Sequence, residues 1–183
     1  MSKNKAIILD RDGTLNRDKG YVHKINNFEL LPGVIEGLSL LKENYMFFII
    51  TNQSGIGKGY YSIEDFWKFN NHLTSVLQKK NITIEKTYFC PHIEEDNCDC
   101  RKPKTKFLKE IHSHYNIDLY NSWVIGDHPS DVLLGINSGL DTIYLLTGHG
   151  NKHAKELEEK KIKPTFIANN FLDAARYIKS HTK

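Results

Sequence analysis

Asp10 and Asp12 stand two residues apart at the end of the apolar run Ala6–Asp10 and are followed by Gly13 and Thr14. In extended chain, residues i and i+2 point the same way, so both carboxylates can face one site. Alone, the same residues could simply form a turn after a strand. A second pair of acids changes that reading. Asp127 closes a later apolar run, and Asp131 lies four positions on, across the turn that opens a helix. Carboxylates gathered at one place repel and destabilise the fold unless a cation neutralises them. Hard oxygen ligands favour Mg²⁺, which binds through a few carboxylates, waters and phosphate oxygens. Thr51 adds a hydroxyl at the end of another apolar run, and Lys102 an ammonium, both suited to phosphoryl oxygens.

The three cysteines of the chain all lie in "CPHIEEDNCDC", from Cys90 to Cys100. Cys90 with His92, and Cys98 with Cys100, form two i, i+2 pairs, each able to aim both ligands to one side. The five residues between the pairs suffice for a loop that brings them together. Three thiolates and one imidazole with no open position make a structural zinc site, with Zn–S near ~2.3 Å. A nucleic-acid-reading finger needs C-x₂₋₄-C and H-x₃₋₅-H spacing, and neither is present. Arg101 and Lys102 follow the last ligand directly, so the loop is expected to act as a strut that positions cations.

"TNQSGIGKGYY" (51–61) invites a nucleotide-binding reading, yet Asn52 and Gly59 stand where a P-loop needs Gly and Ser or Thr. The better reading is a phosphate-contacting turn of Thr51, Asn52, Gln53 and Ser54, with the glycines as a flexible rim. Tyr60 and Tyr61 read equally well as rim contacts or as packing.

These residues need elements to hold them. Short β-branched or aromatic runs alternate with stretches of helical period. Strands are predicted at 6–10, 46–52, 87–92, 122–127, 141–148 and 165–168. Helices are predicted at about 33–44, 62–79, 105–115, 130–138 and 172–180, the second opened by Ser62 with Asp65 three residues on. Regular alternation of this kind predicts an α/β fold, a parallel sheet with helices on both faces. In such sheets functional residues gather at the carboxyl ends of strands. "LDRDGT", "ITNQSG", "CPH" and "IGDHPSD" are what the strands end with.

The chain of 183 residues is long enough for one domain (1–183, with the zinc loop at 90–100), and no insertion is long enough for a second. Its net charge of +3 is slight and its lysines alternate with acids, which argues against a nucleic-acid partner. No apolar stretch is long enough to be a signal peptide or membrane span, so a cytoplasmic protein without a membrane partner is expected. A monomer is expected as well.

"DRDGT", "TNQSG", the lysine of "RKPK" and "GDHPSD" resemble the four ordered motifs of the haloacid dehalogenase (HAD) phosphohydrolases, and together span residues 10 to 131. The resemblance implies a Rossmann-like fold and an aspartyl-phosphate mechanism. Asp10 would be the nucleophile and Asp12 the general acid and base. Mg²⁺ would be held by the Asp10 carboxylate, the Asp12 carbonyl and Asp127, with Asp131 supporting the metal shell or Lys102. "CPH…CDCRKPK" resembles a small branch without a cap domain, the heptose-bisphosphate and histidinol-phosphate phosphatases. "DRDGTLNRDKGYVHKINNFELLPGVI", "TNQSGIGKGYY" and "LTGHG" look more like the heptose enzymes, which implies a small phosphorylated sugar as substrate. Asp18, Lys19, Gly20 and Tyr21 would then line the sugar side, Arg101 would recognise substrate and Lys102 would grip the transferring phosphoryl group. His128 departs from the lysine frequent at its position in those enzymes, so a weaker or pH-sensitive contact to the distal phosphate is expected there. His149 could border the site or merely bond within its loop. A histidinol-phosphate phosphatase is the alternative enzyme. A catalytically silent, zinc-stabilised interaction module is the alternative of another class, and the intact set of acids speaks against it.

Overall fold

The computed structural model describes residues 3–181. Six strands form one sheet: β1 (Ala6–Leu9), β2 (Met46–Asn52), β3 (Ile84–Cys90), β4 (Trp123–Gly126), β5 (Asp141–Leu145) and β6 (Phe166–Ala168). Their order is β3-β2-β1-β4-β5-β6, and every neighbouring pair is parallel. Helices α1 (Val34–Leu41), α2 (Ser54–Gly57), α3 (Ile63–Gln78), α4 (Lys106–Tyr115), α5 (Pro129–Ile136), α6 (Gly150–Glu159) and α7 (Phe171–Ser180) occupy the connections. This is the Rossmann-like arrangement expected from the sequence.

Alternation along the strands explains the two helical layers. Ile7 and Leu9 of β1 pack with Val34, Leu38 and Leu41 of α1 and with Phe171, Ala174 and Ile178 of α7. Ala6 and Ile8 point the other way, toward Leu108 and Ile111 of α4 and Leu134 of α5. A strand buried on both faces must be apolar throughout, and "AIIL" is fully buried.

The expected elements are found with shifted ends. β3 begins at Ile84, three residues earlier than its aromatic run suggests, and β5 stops at Leu145 rather than at residue 148. Ser62 caps α3 with its side chain accepting from the Asp65 N–H, and Asp65 returns the bond to the Ser62 N–H. The sequence reading missed α2 and α6. α6 buries only Gly150 and Leu157, so "GNKHAKELEE" shows almost no apolar period.

Candidate active site

β1 and β4 are adjacent in the sheet, and the order runs outward from them in opposite directions. Loops leaving their carboxyl ends therefore diverge and leave a crevice. A cleft of about 750 Å³ opens there, walled by segments that follow β1, β2, β3, β4 and β5.

At its floor lie Asp10, Asp127 and Asp131, each with a ligand oxygen within 4.8 Å of the others. All three are buried, as is Lys102. Lys102 Nζ donates to Asp10 Oδ1 at 2.6 Å and to the Ile50 carbonyl at 2.8 Å, and lies 2.7 Å from Asp131 Oδ1. One ammonium among three acids leaves the floor negative. Burial pushes the Asp10 carboxyl up to about 7, against the pull of Lys102 and helped by Asp131. Burial, then repulsion from Asp10 and Asp131, pushes Asp127 up to about 9. Burial opposes the charge on Lys102 as well, but Asp10 and Asp131 more than offset it and hold its pKa above the usual lysine value. Hard oxygens with a deficit of positive charge are a donor set that fits Mg²⁺. The Asp12 carboxylate lies outside this trio, so any contribution of Asp12 to a cation there comes through its backbone carbonyl.

Asp127 is held from above by the loop after β5. Its Oδ2 accepts the His149 N–H at 2.7 Å, and Thr147 Oγ1 donates to the Gly13 carbonyl at 2.7 Å. Gly13 and Gly148 both have positive φ (+85° and +50°), and a Cβ on either would overlap the Asp127 carboxylate. The glycines of "DGT" and "TGHG" thus let two loops close on one carboxylate.

Asp12 sits in a different network. Arg11 Nε and Nη2 donate to its Oδ1 and Oδ2 at 3.1 and 2.8 Å. Asn16 Nδ2 donates to Oδ1 at 2.9 Å, and Gln53 Nε2 to Oδ2 at 2.8 Å. Arg11 is fully buried, its guanidinium 5.1 and 4.8 Å from the ring centroids of Phe66 and Phe69. Gln53 also donates to Thr51 Oγ1 at 2.8 Å, while its Oε1 accepts from Tyr61 Oη at 2.5 Å. Its polar atoms thus bond to Asp12, Thr51, Tyr61 and Arg11, although it lines the cleft. Arg11, Asn16 and Tyr61 were not among the expected site residues. Arg11 follows the end of β1 between Asp10 and Asp12, where one more charged residue gives no sign of its burial.

Asn52 is likewise a clamp. Its Oδ1 accepts the Lys102 N–H at 3.0 Å and its Nδ2 donates to the Lys102 carbonyl at 3.3 Å. The cysteine loop braces Lys102 from the other side. Cys90, His92, Cys98 and Cys100 converge, with Sγ–Sγ separations of 3.2 to 3.6 Å and His92 Nδ1 3.3 Å from Cys100 Sγ. Four ligands on the corners of a small closed cage could hold a metal ion, and the soft donor set suits Zn²⁺. Arg101 Nη1 reaches back to the His92 carbonyl at 3.4 Å, and Gly57 N–H donates to the Pro91 carbonyl at 2.9 Å. Gly55 packs under Tyr61 and Tyr21, so these glycines are close-packing points as well as rim.

Of the residues expected on the sugar side, Asp18, Gly20 and Tyr21 line the cleft, with Ser54, Arg101 and His128. Lys19 does not join them. Its ammonium turns to Glu29 Oε2 at 3.4 Å, where Arg17 also pairs at 2.9 Å. Tyr61 is buried yet lines the cleft wall, whereas Tyr60 is exposed with its ring edge-on to Tyr21 and does not line it. His149 borders the cleft, 3.8 Å from Asp18 Oδ2 through Nε2, and Glu94, Glu156 and Lys160 line it as well.

Comparison with known proteins agrees with this geometry. Residues 99–174 match the family model described as "HAD-hyrolase-like". A D-glycero-alpha-D-manno-heptose-1,7-bisphosphate 7-phosphatase of Campylobacter jejuni is 43% identical over 155 residues, covering 84% of this chain and 87% of that one. The corresponding beta-anomer enzyme of Pasteurella multocida is 36% identical and covers 96% and 97% of the two chains. Among solved structures, the D,D-heptose 1,7-bisphosphate phosphatase of B. bronchiseptica, complexed with magnesium and phosphate, superposes with a TM-score of 0.86. It is 25% identical, and the match covers 96% of this chain and 98% of that one.

Proposed function

The chain belongs to the family of D-glycero-D-manno-heptose-1,7-bisphosphate 7-phosphatases, and from that premise we propose that it hydrolyses the phosphomonoester at C7 of this bisphosphate through a phosphoryl group on Asp10. The observation that carries the proposal is the convergence of Asp10, Lys102, Asp127 and Asp131 on the cleft floor. Enzymes for both anomers occur among the relatives, so the proposal concerns the 7-phosphate that the two substrates share.

Lys102 occupies Asp10 Oδ1 and leaves Oδ2 as the attacking oxygen. Asp10 bonds to phosphorus as the bond to the C7 oxygen breaks, and Asp12 gives its proton to the departing alkoxide. Water then attacks the same phosphorus, Asp12 takes the proton, and Asp10 is regenerated as inorganic phosphate leaves. Thr51, Ser54 and Lys102 stabilise the phosphoryl oxygens, and Arg101 with Asp18, Gly20 and Tyr21 selects the sugar phosphate. Mg²⁺ held by the Asp10 and Asp127 carboxylates and the Asp12 carbonyl would neutralise charge on the transferring group. Cys90, His92, Cys98 and Cys100 would hold Zn²⁺, which would keep the loop that carries Arg101 and Lys102 in place. The enzyme acts as a single-domain monomer in the cytoplasm, in heptose precursor synthesis for lipopolysaccharide, where its thiols stay reduced. Among the described residues no helix is long and apolar enough to cross a membrane.

Phosphorus NMR of the reaction mixture tests the regiochemistry. With Mg²⁺ the C7 monoester resonance should disappear while the anomeric phosphate persists. Loss of the anomeric phosphate instead, or of neither, would overturn the assignment.

A further inference from the structure

Along the cleft wall, next to the floor where the His128 N–H donates to Asp131 Oδ2 at 3.1 Å, two imidazoles and a carboxylate converge. His128 lies between β4 and α5, and His153 and Glu156 lie on α6. Each offers one ligand atom within 4.8 Å of the others. His153 and Glu156 are three apart and share one face of their helix. That spacing places His153 Nδ1 3.1 Å from Glu156 Oε2. The rings of His128 and His153 are 4.7 Å apart and inclined at 63°.

The surroundings orient the three groups. Nδ1 of His128 accepts the Ser130 N–H at 3.2 Å, capping α5, and lies 2.9 Å from Ser130 Oγ, so Nε2 is the nitrogen left for a ligand. Binding through Nε2 would move the ring proton to Nδ1, where Ser130 Oγ is placed to accept it in exchange for the capping bond. Lys160 takes Glu156 Oε1 at 2.6 Å and leaves Oε2 turned to His153.

We propose that His128, His153 and Glu156 form a second divalent-cation site in the cleft wall, selective for a borderline ion of the zinc type and separate in its ligands from the carboxylate floor. Two imidazoles and one carboxylate suit such an ion and not Mg²⁺, which prefers an all-oxygen shell. Three protein ligands leave a coordination position open. His128 and Glu156 line the cleft, so an ion there stands in the path of the substrate. Zinc beyond the amount that fills the cysteine loop therefore slows turnover. This assignment stands on its three residues and does not depend on which phosphate ester is the substrate.

The test is calorimetric titration of the isolated protein with ZnCl₂, its cysteine loop already metal-loaded and Mg²⁺ in excess. Wild type should bind one further equivalent. His153→Ala and Glu156→Gln should each weaken that binding by about tenfold or more, with zinc inhibition of phosphate release relieved in parallel. Asp127→Asn should retain it. No further equivalent in wild type, or equal binding in the His153 and Glu156 variants, would overturn the site. So would loss of the equivalent in Asp127→Asn, which would place the ion on the floor.

Discussion

Asp12 accepts from Arg11 Nε and Nη2, Asn16 Nδ2 and Gln53 Nε2, so each of its oxygens already has two donors. Acting as general acid requires one of those bonds to be exchanged for the substrate oxygen. Asp12→Asn should lower kcat on a sugar phosphate by about 10²-fold or more, and by clearly less on an aryl phosphate, whose leaving group needs no proton. Equal losses on both would remove Asp12 from leaving-group protonation. Gln53 was legible as a phosphate contact from its place after Thr51, yet its bonds go to Asp12, Thr51 and Tyr61. Gln53→Leu should therefore reduce kcat about tenfold with little change in KM. A rise in KM at unchanged kcat would restore the contact reading. Asp10 and Asp127 could be placed at the cleft from the chain because each directly follows a strand. Arg11 could not, because nothing local shows that Phe66 and Phe69 will close over it from α3.

At the scale of elements, the cysteine loop and β2 hold Lys102 from opposite sides. Asn52 at the end of β2 takes both backbone polar groups of Lys102, and Arg101 is tied to the His92 carbonyl. Breaking the Cys/His cluster should then cost both stability and activity. Cys98→Ser should lower Tm by on the order of 5–10 °C, given roughly 2–4 °C per kcal/mol for a chain of this size. It should also lower kcat/KM, as read by thermal melting and steady-state kinetics on the same preparation. A variant with lowered Tm and unchanged kinetics would make the loop a staple without influence on the lysine. The loop was legible because all its ligands lie within eleven residues. α6 was not, because a helix burying little more than Leu157 has no apolar stripe to announce it, although its N-terminal loop closes on Asp127.

Over the whole molecule, the sheet order decides where charge is concentrated. β1 and β4 are brought side by side from distant parts of the chain, and with them Asp10 and Asp127. Their carboxyls, pushed up to about 7 and about 9 without a cation, bind protons more tightly in the folded than in the unfolded chain. The unfolded state then holds fewer protons, so stability falls as pH rises from about 4 to 9. Mg²⁺ should reverse that loss, and the rise in Tm on adding MgCl₂ should be larger at pH 8.5 than at pH 5.5. A Mg²⁺ shift independent of pH would mean that the ion does not bind these acids. Strand order was legible only as a parallel sheet, since local alternation does not say which strands are neighbours. The most direct test of the account is kcat/KM for the heptose 1,7-bisphosphate beside histidinol phosphate, with Mg²⁺ and with Asp10→Asn as control. The enzyme should prefer the bisphosphate by ~100-fold or more, about 2.7 kcal/mol at the transition state, and folded Asp10→Asn should lose nearly all activity. A ratio near or below one, or an active Asp10→Asn enzyme, would contradict it.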